Sequence, residues 1–210
     1  MPWTPFWTIN PSAWNKNQVW VVTLNGRKPN MQSTIPVLKI HLVPVDSTNL
    51  ETYLSVGTRS YREHYLHLWE NEDPTPYISH GLTKEVVQRE LEDPNNLHFL
   101  INHDTVTVGI LKLVKDCGID EIPKEEALKA EKIYFLQEHS GKGFGKQVLQ
   151  YIEDFARSIH KKTVWLDTMQ KGNPILFYQK NGYAIKRESE VVLPGAKPSE
   201  KAMWILTKNL

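Results

Sequence analysis

Three glycines at alternate positions, Gly141, Gly143 and Gly145 in "HSGKGFGK", stand between two strongly patterned segments, and this arrangement restricts the fold more than any other part of the chain. Before them, "EKIYFLQE" (131–138) reads as a strand; behind them Val148, Leu149, Ile152, Phe155, Ala156 and Ile159 recur at helical spacing. A strand that enters a glycine turn and leaves as a helix points successive backbone N–H groups at one spot, at the positive end of the helix dipole. The expected guest is an anion, phosphate above all, with Lys142 and Lys146 on the flanks. Each charge at a helix end is worth about 0.3–1 kcal/mol, so several amides must act together to hold a pyrophosphate.

Two nucleotide loops fail on spacing. A Walker loop needs Ser or Thr after its Gly-Lys, whereas Gln147 follows Gly145-Lys146. A dinucleotide fingerprint needs G-x-G-x-x-G early in a βαβ unit, whereas the spacing here is G-x-G-x-G and falls late in the chain. A formal net charge of +1, from 25 basic and 24 acidic residues, provides no global field for nucleic acid or an anionic membrane, so any anion site is local.

The rest of the chain frames that unit. Residues 1–34 are rich in Trp, Pro, Asn and Thr, with one β-like run at Val19–Leu24, and are expected to be a peripheral extension, either an appended hairpin or a mis-assigned start upstream of Met31. From 35 to 210 a single domain is expected. A strand at Val37–Val43 is followed by a helix capped at Asp46 or Ser47 and running toward Trp69, a Pro-containing break ("NEDPTP"), and a helix capped by Thr83 and closed before Asp93-Pro94. Strands "HFLIN" and "TVTVGILKLVKD" turn at His103-Asp104, and Glu121–Lys129 reads as a loop. After the long helix come a strand "TVWLDT", a short helix Pro174–Lys180 with Asn173 as cap and Gly182 as stop, and strands at Tyr183–Lys186 and Ala202–Thr207. The order predicts an α/β (α+β) fold, a mixed sheet with helices on both faces. The single cysteine, Cys117, excludes an internal disulfide framework, and no apolar run reaches the roughly 18–20 residues of a membrane span, so the expected location is the cytoplasm.

"YFLQEHSGKGFGKQVL" resembles the acyl-coenzyme A binding motif of the GCN5-related N-acetyltransferases, [Q/R]-x-x-G-x-[G/A], with Ser140 in place of the family's first Gln or Arg. "NPILFYQKNGYAI" is similar to the family's N-x-x-x-x-[F/Y]-Y-x-x-x-G-[F/Y] segment, with one residue fewer between Asn173 and Phe177. The resemblance covers residues 37–210 and extends, more narrowly, to the bacterial spermidine/spermine acetyltransferase-like branch. It implies a mostly antiparallel sheet and transfer of an acetyl group from acetyl-CoA to a primary amine of a small molecule, polyamine or peptide by direct attack, without a covalent cysteine. It further implies CoA contacts from Phe135, Leu136, Ser140, Gly141, Lys142, Gly143, Phe144, Gly145, Lys146, Asn173 and Tyr178. Tyr178 then stands near the coenzyme sulfur as proton donor, and a backbone N–H near Leu136 polarises the thioester carbonyl. A non-catalytic CoA-binding regulatory module is the alternative.

An alkylammonium must lose its proton before attacking, which at neutral pH opposes reaction by about 4 kcal/mol. Glu131 is the candidate base, and strict alternation puts it on one strand face with Ile133 and Phe135, opposite Lys132, Tyr134 and Leu136. Tyr65, Trp69 and Tyr77 are candidates for an aromatic cage around a cationic acceptor, with Glu70, Glu72 or Asp73 as charge partners. His64 and His67 lack the companions of a metal site and are read as structural, so no metal is expected. Partners are an amine substrate and, from the resemblance, a second copy in a homodimer; neither nucleic acid nor membrane is expected.

Overall fold

A computed structural model describes residues 39–210, so the readings placed on the extension and on the start of the first strand lie outside the described residues. Seven strands form one sheet in the order β1-β2-β3-β4-β5-β7-β6, with every neighbouring pair antiparallel except β4 and β5. In chain order the elements are β1 (Ile40–Pro44), α1 (Leu50–Tyr65), α2 (Thr75–Gly81), α3 (Lys84–Glu92), β2 (Asn96–His103), β3 (Val106–Val114) and β4 (Ala127–Phe135). They continue with α4 (Phe144–Ser158), β5 (Thr163–Met169), α5 (Pro174–Lys180), β6 (Ala184–Glu190) and β7 (Ala202–Asn209).

The helices sort onto the two faces by their apolar stripes. Phe144, Val148, Leu149, Ile152 and Ala156 of α4 pack on Leu111, Leu113, Leu128 and Leu166, with Ile175, Phe177 and Tyr178 of α5 alongside. On the other face Leu50, Tyr53 and Tyr61 of α1 and Val87 of α3 pack on Leu100 and Ile110.

Local chemistry explains several boundaries. Thr83 caps α3 by accepting from the Val86 N–H at 3.3 Å. Gly182 (φ +87°) ends α5 in a Schellman turn, with Tyr183 N–H on Tyr178 C=O at 3.1 Å and Gly182 N–H on Gln179 C=O at 3.0 Å. α1 begins later than expected: Asp46 accepts from the Thr48 N–H at 2.8 Å, which closes a turn ahead of the helix instead of capping it, and Leu50 opens the first turn. The stretch 127–129, expected as loop, is the start of β4, because Ala127, Leu128 and Lys129 pair in parallel with Thr163, Val164 and Trp165. Such pairing is non-local and leaves no turn signal in the sequence. α2 likewise follows the break at Pro74 unannounced, with Pro76 in its first turn.

Candidate active site

The parallel pairing of β4 with β5 stops at Lys129 and Trp165, although β4 stays paired to β3 as far as Phe135 and β5 to β7 as far as Met169. The two strands therefore splay at the centre of the sheet and leave backbone groups on facing edges unpaired. A cavity of about 490 Å³ opens there, lined by Ala130–Tyr134 of β4, Leu166–Met169 of β5, and Pro174 and Tyr178 of α5. Tyr61, Tyr65 and Tyr77 of the opposite layer and Val191–Leu193 of the β6–β7 connection complete the wall.

That connection is fastened over the helical layer. Glu70 N–H donates to Gly195 C=O at 2.9 Å, Lys197 N–H to Leu68 C=O at 2.8 Å, and Lys197 Nζ to His67 C=O at 3.1 Å.

β4 does not alternate strictly. Lys112 faces Lys132 while Leu113 faces Ala130, so Glu131 is the extra residue of a β-bulge. The expected face assignment is thereby corrected: Glu131 turns to the same side as Lys132 and Tyr134, away from Ile133 and Phe135, whose side chains join the α4 core. There the charged groups form a chain. Glu90 Oε1 meets Lys112 Nζ at 2.6 Å, Lys112 Nζ meets Glu131 Oε1 at 2.7 Å, and the same oxygen meets Lys132 Nζ at 2.6 Å. His98 extends it, with Nε2 3.2 Å from Glu90 Oε2 and Nδ1 3.0 Å from the Tyr53 hydroxyl.

Burial pushes the Glu131 carboxyl upward, but Lys132 and Lys112 outweigh it and hold the pKa at about 2. Glu90 is held at about 2 in the same way, burial being overcome by His98 and Lys112. Burial pushes the Lys132 ammonium below the ordinary lysine value against the pull of Glu131.

The aromatic wall differs in part from the expected cage. Tyr65 and Tyr77 line the cavity, joined by Tyr61, stacked on Tyr77 at 3.9 Å between centroids, and by Tyr134, whose hydroxyl bonds that of Tyr77. Trp69 does not line it: its ring is fully buried and Nε1 donates to the Tyr61 hydroxyl at 3.1 Å, so it supports the wall from behind. Glu70, Glu72 and Asp73 are exposed and off the cavity, and Asp73 is occupied by the Thr75 N–H at 3.0 Å. His64 Nε2 sits 3.1 Å from Phe135 C=O and ties α1 to the end of β4. Among the described residues no cluster of three or more His, Cys, Asp or Glu is arranged to hold a metal. Cys117 is half-buried beside Trp165, away from the cavity wall.

At the end of β4, Leu136 is buried and its N–H is spent on Val108 C=O at 2.9 Å, so the amide expected to polarise a carbonyl is already committed. By the alternation of an antiparallel ladder, Leu136 and Tyr134 address β3, while the N–H groups of Ile133 and Phe135 face the splay. Ile133 was not foreseen, since only the position of the bulge and the β3 register identify it.

The glycine loop follows. Gly141 (φ +73°) and Gly143 (φ +84°) take left-handed conformations, and a side chain at either would meet nothing within 4 Å, so this backbone stands open. Among the described residues no hydrogen-bond partner takes the backbone N–H groups of Gly141, Gly143 or Gly145. Ser140, Lys142 and Lys146 are exposed around them, whereas the Phe144 ring is buried against His103 and Phe135 and has only its backbone at the loop.

Gly145 supplies the link to α5, because a Cβ there would stand 3.0 Å from the Phe177 ring, one residue before Tyr178. Tyr178 packs edge-on against Tyr183 at 5.8 Å, and burial raises its phenol above the ordinary tyrosine value. Asn173 sits at the α5 cap position, exposed and without a capping bond from its side chain.

Comparison with known proteins agrees with this architecture. The sequence profile described as "Acetyltransferase (GNAT) family" matches residues 59–183. An uncharacterised N-acetyltransferase in the pepI 3′ region of Lactobacillus delbrueckii subsp. lactis is 22% identical over 155 residues, covering 73% of this chain and 90% of that protein. The PaiA N-acetyltransferase of Thermoplasma acidophilum, solved in complex with coenzyme A, superposes with a TM-score of 0.62 at 19% identity, over 82% of this chain and 99% of that one. The spermidine/spermine N-acetyltransferase SpeG of Vibrio cholerae, solved with manganese ions, gives a TM-score of 0.58 at 13% identity, over 82% and 94%.

Proposed function

Because the chain belongs to the GNAT acetyltransferase family, we propose that it moves an acetyl group from acetyl-CoA to a primary amine held in the cavity between β4 and β5. The observation that carries this reading is the juxtaposition of that splay with an open glycine loop on one side and a tyrosine-walled cavity on the other. The relative solved with coenzyme A supports the choice of donor.

In this reading the loop amides of Gly141–Gly145, with Lys142 and Lys146, hold the pyrophosphate, Ser140 lies alongside, and the thioester arm lies between the strands. Its amides pair with the free edge of β4 at Ile133 and at the Phe135 N–H, the Phe135 C=O being taken by His64. The amine nitrogen forms a bond to the thioester carbon, charge collects on the carbonyl oxygen opposite a strand N–H, and the C–S bond breaks as CoA leaves.

Tyr178 lines the cavity wall and acts on the leaving sulfur. With its pKa above the ordinary 10, full proton transfer to a thiolate of pKa near 8.5 is uphill by at least about 2 kcal/mol, so Tyr178 stabilises the thiolate as a hydrogen-bond donor. Glu131 takes a different part from the one expected of it. A carboxyl held at about 2 is a feeble proton acceptor, so the ammonium proton leaves through cavity water, and Glu131 positions Lys112 and Lys132. Tyr61, Tyr65, Tyr77 and Tyr134 form the acceptor wall.

The protein works in the cytoplasm without a metal, and a homodimer is the expected assembly. The deciding assay is thiol release from acetyl-CoA over a panel of amines. Release that requires an amine supports transfer, whereas stabilisation by CoA with no release for any amine favours a CoA-binding module.

A further inference from the structure

The charged groups of the cavity wall are unequally satisfied. Lys112 Nζ lies between two carboxylates, Glu90 and Glu131, at 2.6 and 2.7 Å. Lys129 pairs with Asp167 at 3.1 Å, and Glu190 pairs with Lys201 at 2.7 Å. Each of these carboxylates thus has a cation within 3.1 Å that offsets its charge, although Glu90 Oε2 is buried without a hydrogen-bond partner. Lys132 is the exception on the cationic side. Its side chain is 5% exposed, Nζ meets Glu131 Oε1 at 2.6 Å, and among the described residues nothing else accepts from it.

An ammonium carries three N–H donors, so two remain without a protein acceptor in a buried setting, an arrangement that is costly unless a further acceptor arrives. The cavity of about 490 Å³ that Lys132 lines has room for one. Gly81 lines the same cavity within a helical stretch where its backbone needs no glycine, and a Cβ there would stand 3.3 Å from Lys132 Nζ. Taken together, Glu90, Lys112, Glu131 and Lys132 are electrically neutral, and Lys132 is the cationic end of the chain, beside the tyrosine wall.

We propose that the acceptor is an amino acid, an amine that also carries a carboxylate, and that Lys132 binds this carboxylate in the space beside Gly81. The inference rests on the transferase reading above and names the class of its acceptor. The amine then projects toward the splay and Tyr178, while the tyrosines cover the intervening carbons. A polyamine, offering only positive charge, finds its complement here already neutralised.

The test compares α-, β- and γ-amino acids with their carboxamides, which keep the amine and the carbon skeleton and lose the charge. For the preferred skeleton, kcat/KM for the acid is expected to exceed that for the amide by about ten- to a hundredfold, a charged hydrogen bond's worth. Lys132→Gln brings this ratio toward one, mainly through KM. Gly81→Ala lowers it with the charge intact, and serves should Lys132→Gln not fold.

Calorimetric titration of the acids and amides into the CoA-loaded protein separates the two readings. Selective binding of an acid without turnover of any amine upholds the carboxylate subsite and removes the transferase reading. Turnover of amides or polyamines as efficient as that of the acids, a ratio unchanged in Lys132→Gln, or the absence of any binding preference for acids overturns the proposal.

Discussion

Replacing Lys112 with Met tests the charge chain at its most connected point. The ammonium is 4% exposed and touches carboxylates on two elements, α3 and β4, so its loss leaves Glu90 and Glu131 facing each other beside a single lysine. Both carboxyls are held at about 2 against an ordinary 4.5, a depression that corresponds to about 3 kcal/mol for each, shared among coupled groups and therefore not additive. Removing one partner from a buried ionic group costs about 3–5 kcal/mol. At about 2–4 °C per kcal/mol for a chain of this size, thermal unfolding should move down by roughly 6–20 °C at pH 7.

The sign of the pH dependence is equally specific. Folded pKa values below the unfolded ones contribute stability that is fully present above about 4.5 and lost as pH falls toward about 2. In Lys112→Met the carboxyls titrate nearer their ordinary range, so the gap between variant and wild type should narrow as pH falls from 7 to 4. A loss below about 1 kcal/mol, or a gap that does not change over this range, would refute the account of the chain as a coupled and partly desolvated unit.

Other perturbations address other links. Tyr178→Phe should lower kcat about ten- to a hundredfold while CoA affinity holds, as read from steady-state thiol release and a CoA titration. Gly143→Ala should cost about 1–2 kcal/mol from left-handed strain alone, since its Cβ would meet nothing. Gly109→Ala should cost more, because its Cβ would fall 2.2 Å from Tyr134 C=O and force β3 from β4; chemical denaturation of the two variants gives the order. Burial depresses the His98 pKa despite Glu90, so the unfolded chain takes up this proton first and stability falls as pH drops below about 6.5. His98→Gln should flatten that slope in denaturation curves between pH 7 and 5.5.

The parts of the fold that local chemistry writes were legible in the sequence: the apolar stripe of α4, the glycine turn ahead of it, the Thr83 cap and the Gly182 stop. The register was not. One bulge at Glu131 reverses the side chain of the very residue chosen as base, and no pattern within β4 announces it, because its cause is the pairing with β3. The same tertiary pairing starts β4 at Ala127 and spends the Leu136 amide on Val108.

Trp69 is a candidate for the aromatic cage by its residue type and its nearness in sequence to Tyr65. Its burial follows from the Gly195 connection folding over it, a contact between residues more than a hundred positions apart. One signal was present and unread. Lys112 lies in the middle of the apolar run "VGILKLV", and a charge there demands buried partners, which points to an ionic chain in the sheet.

The account's central claim is direct transfer between two substrates held together in one splayed sheet, and initial-rate kinetics with acetyl-CoA and the acceptor both varied test it most directly. Intersecting double-reciprocal lines, with the N-acetylated amine and free CoA formed in equal amounts, are the predicted result. Parallel lines, the sign of an acetylated enzyme formed before the amine arrives, would contradict it.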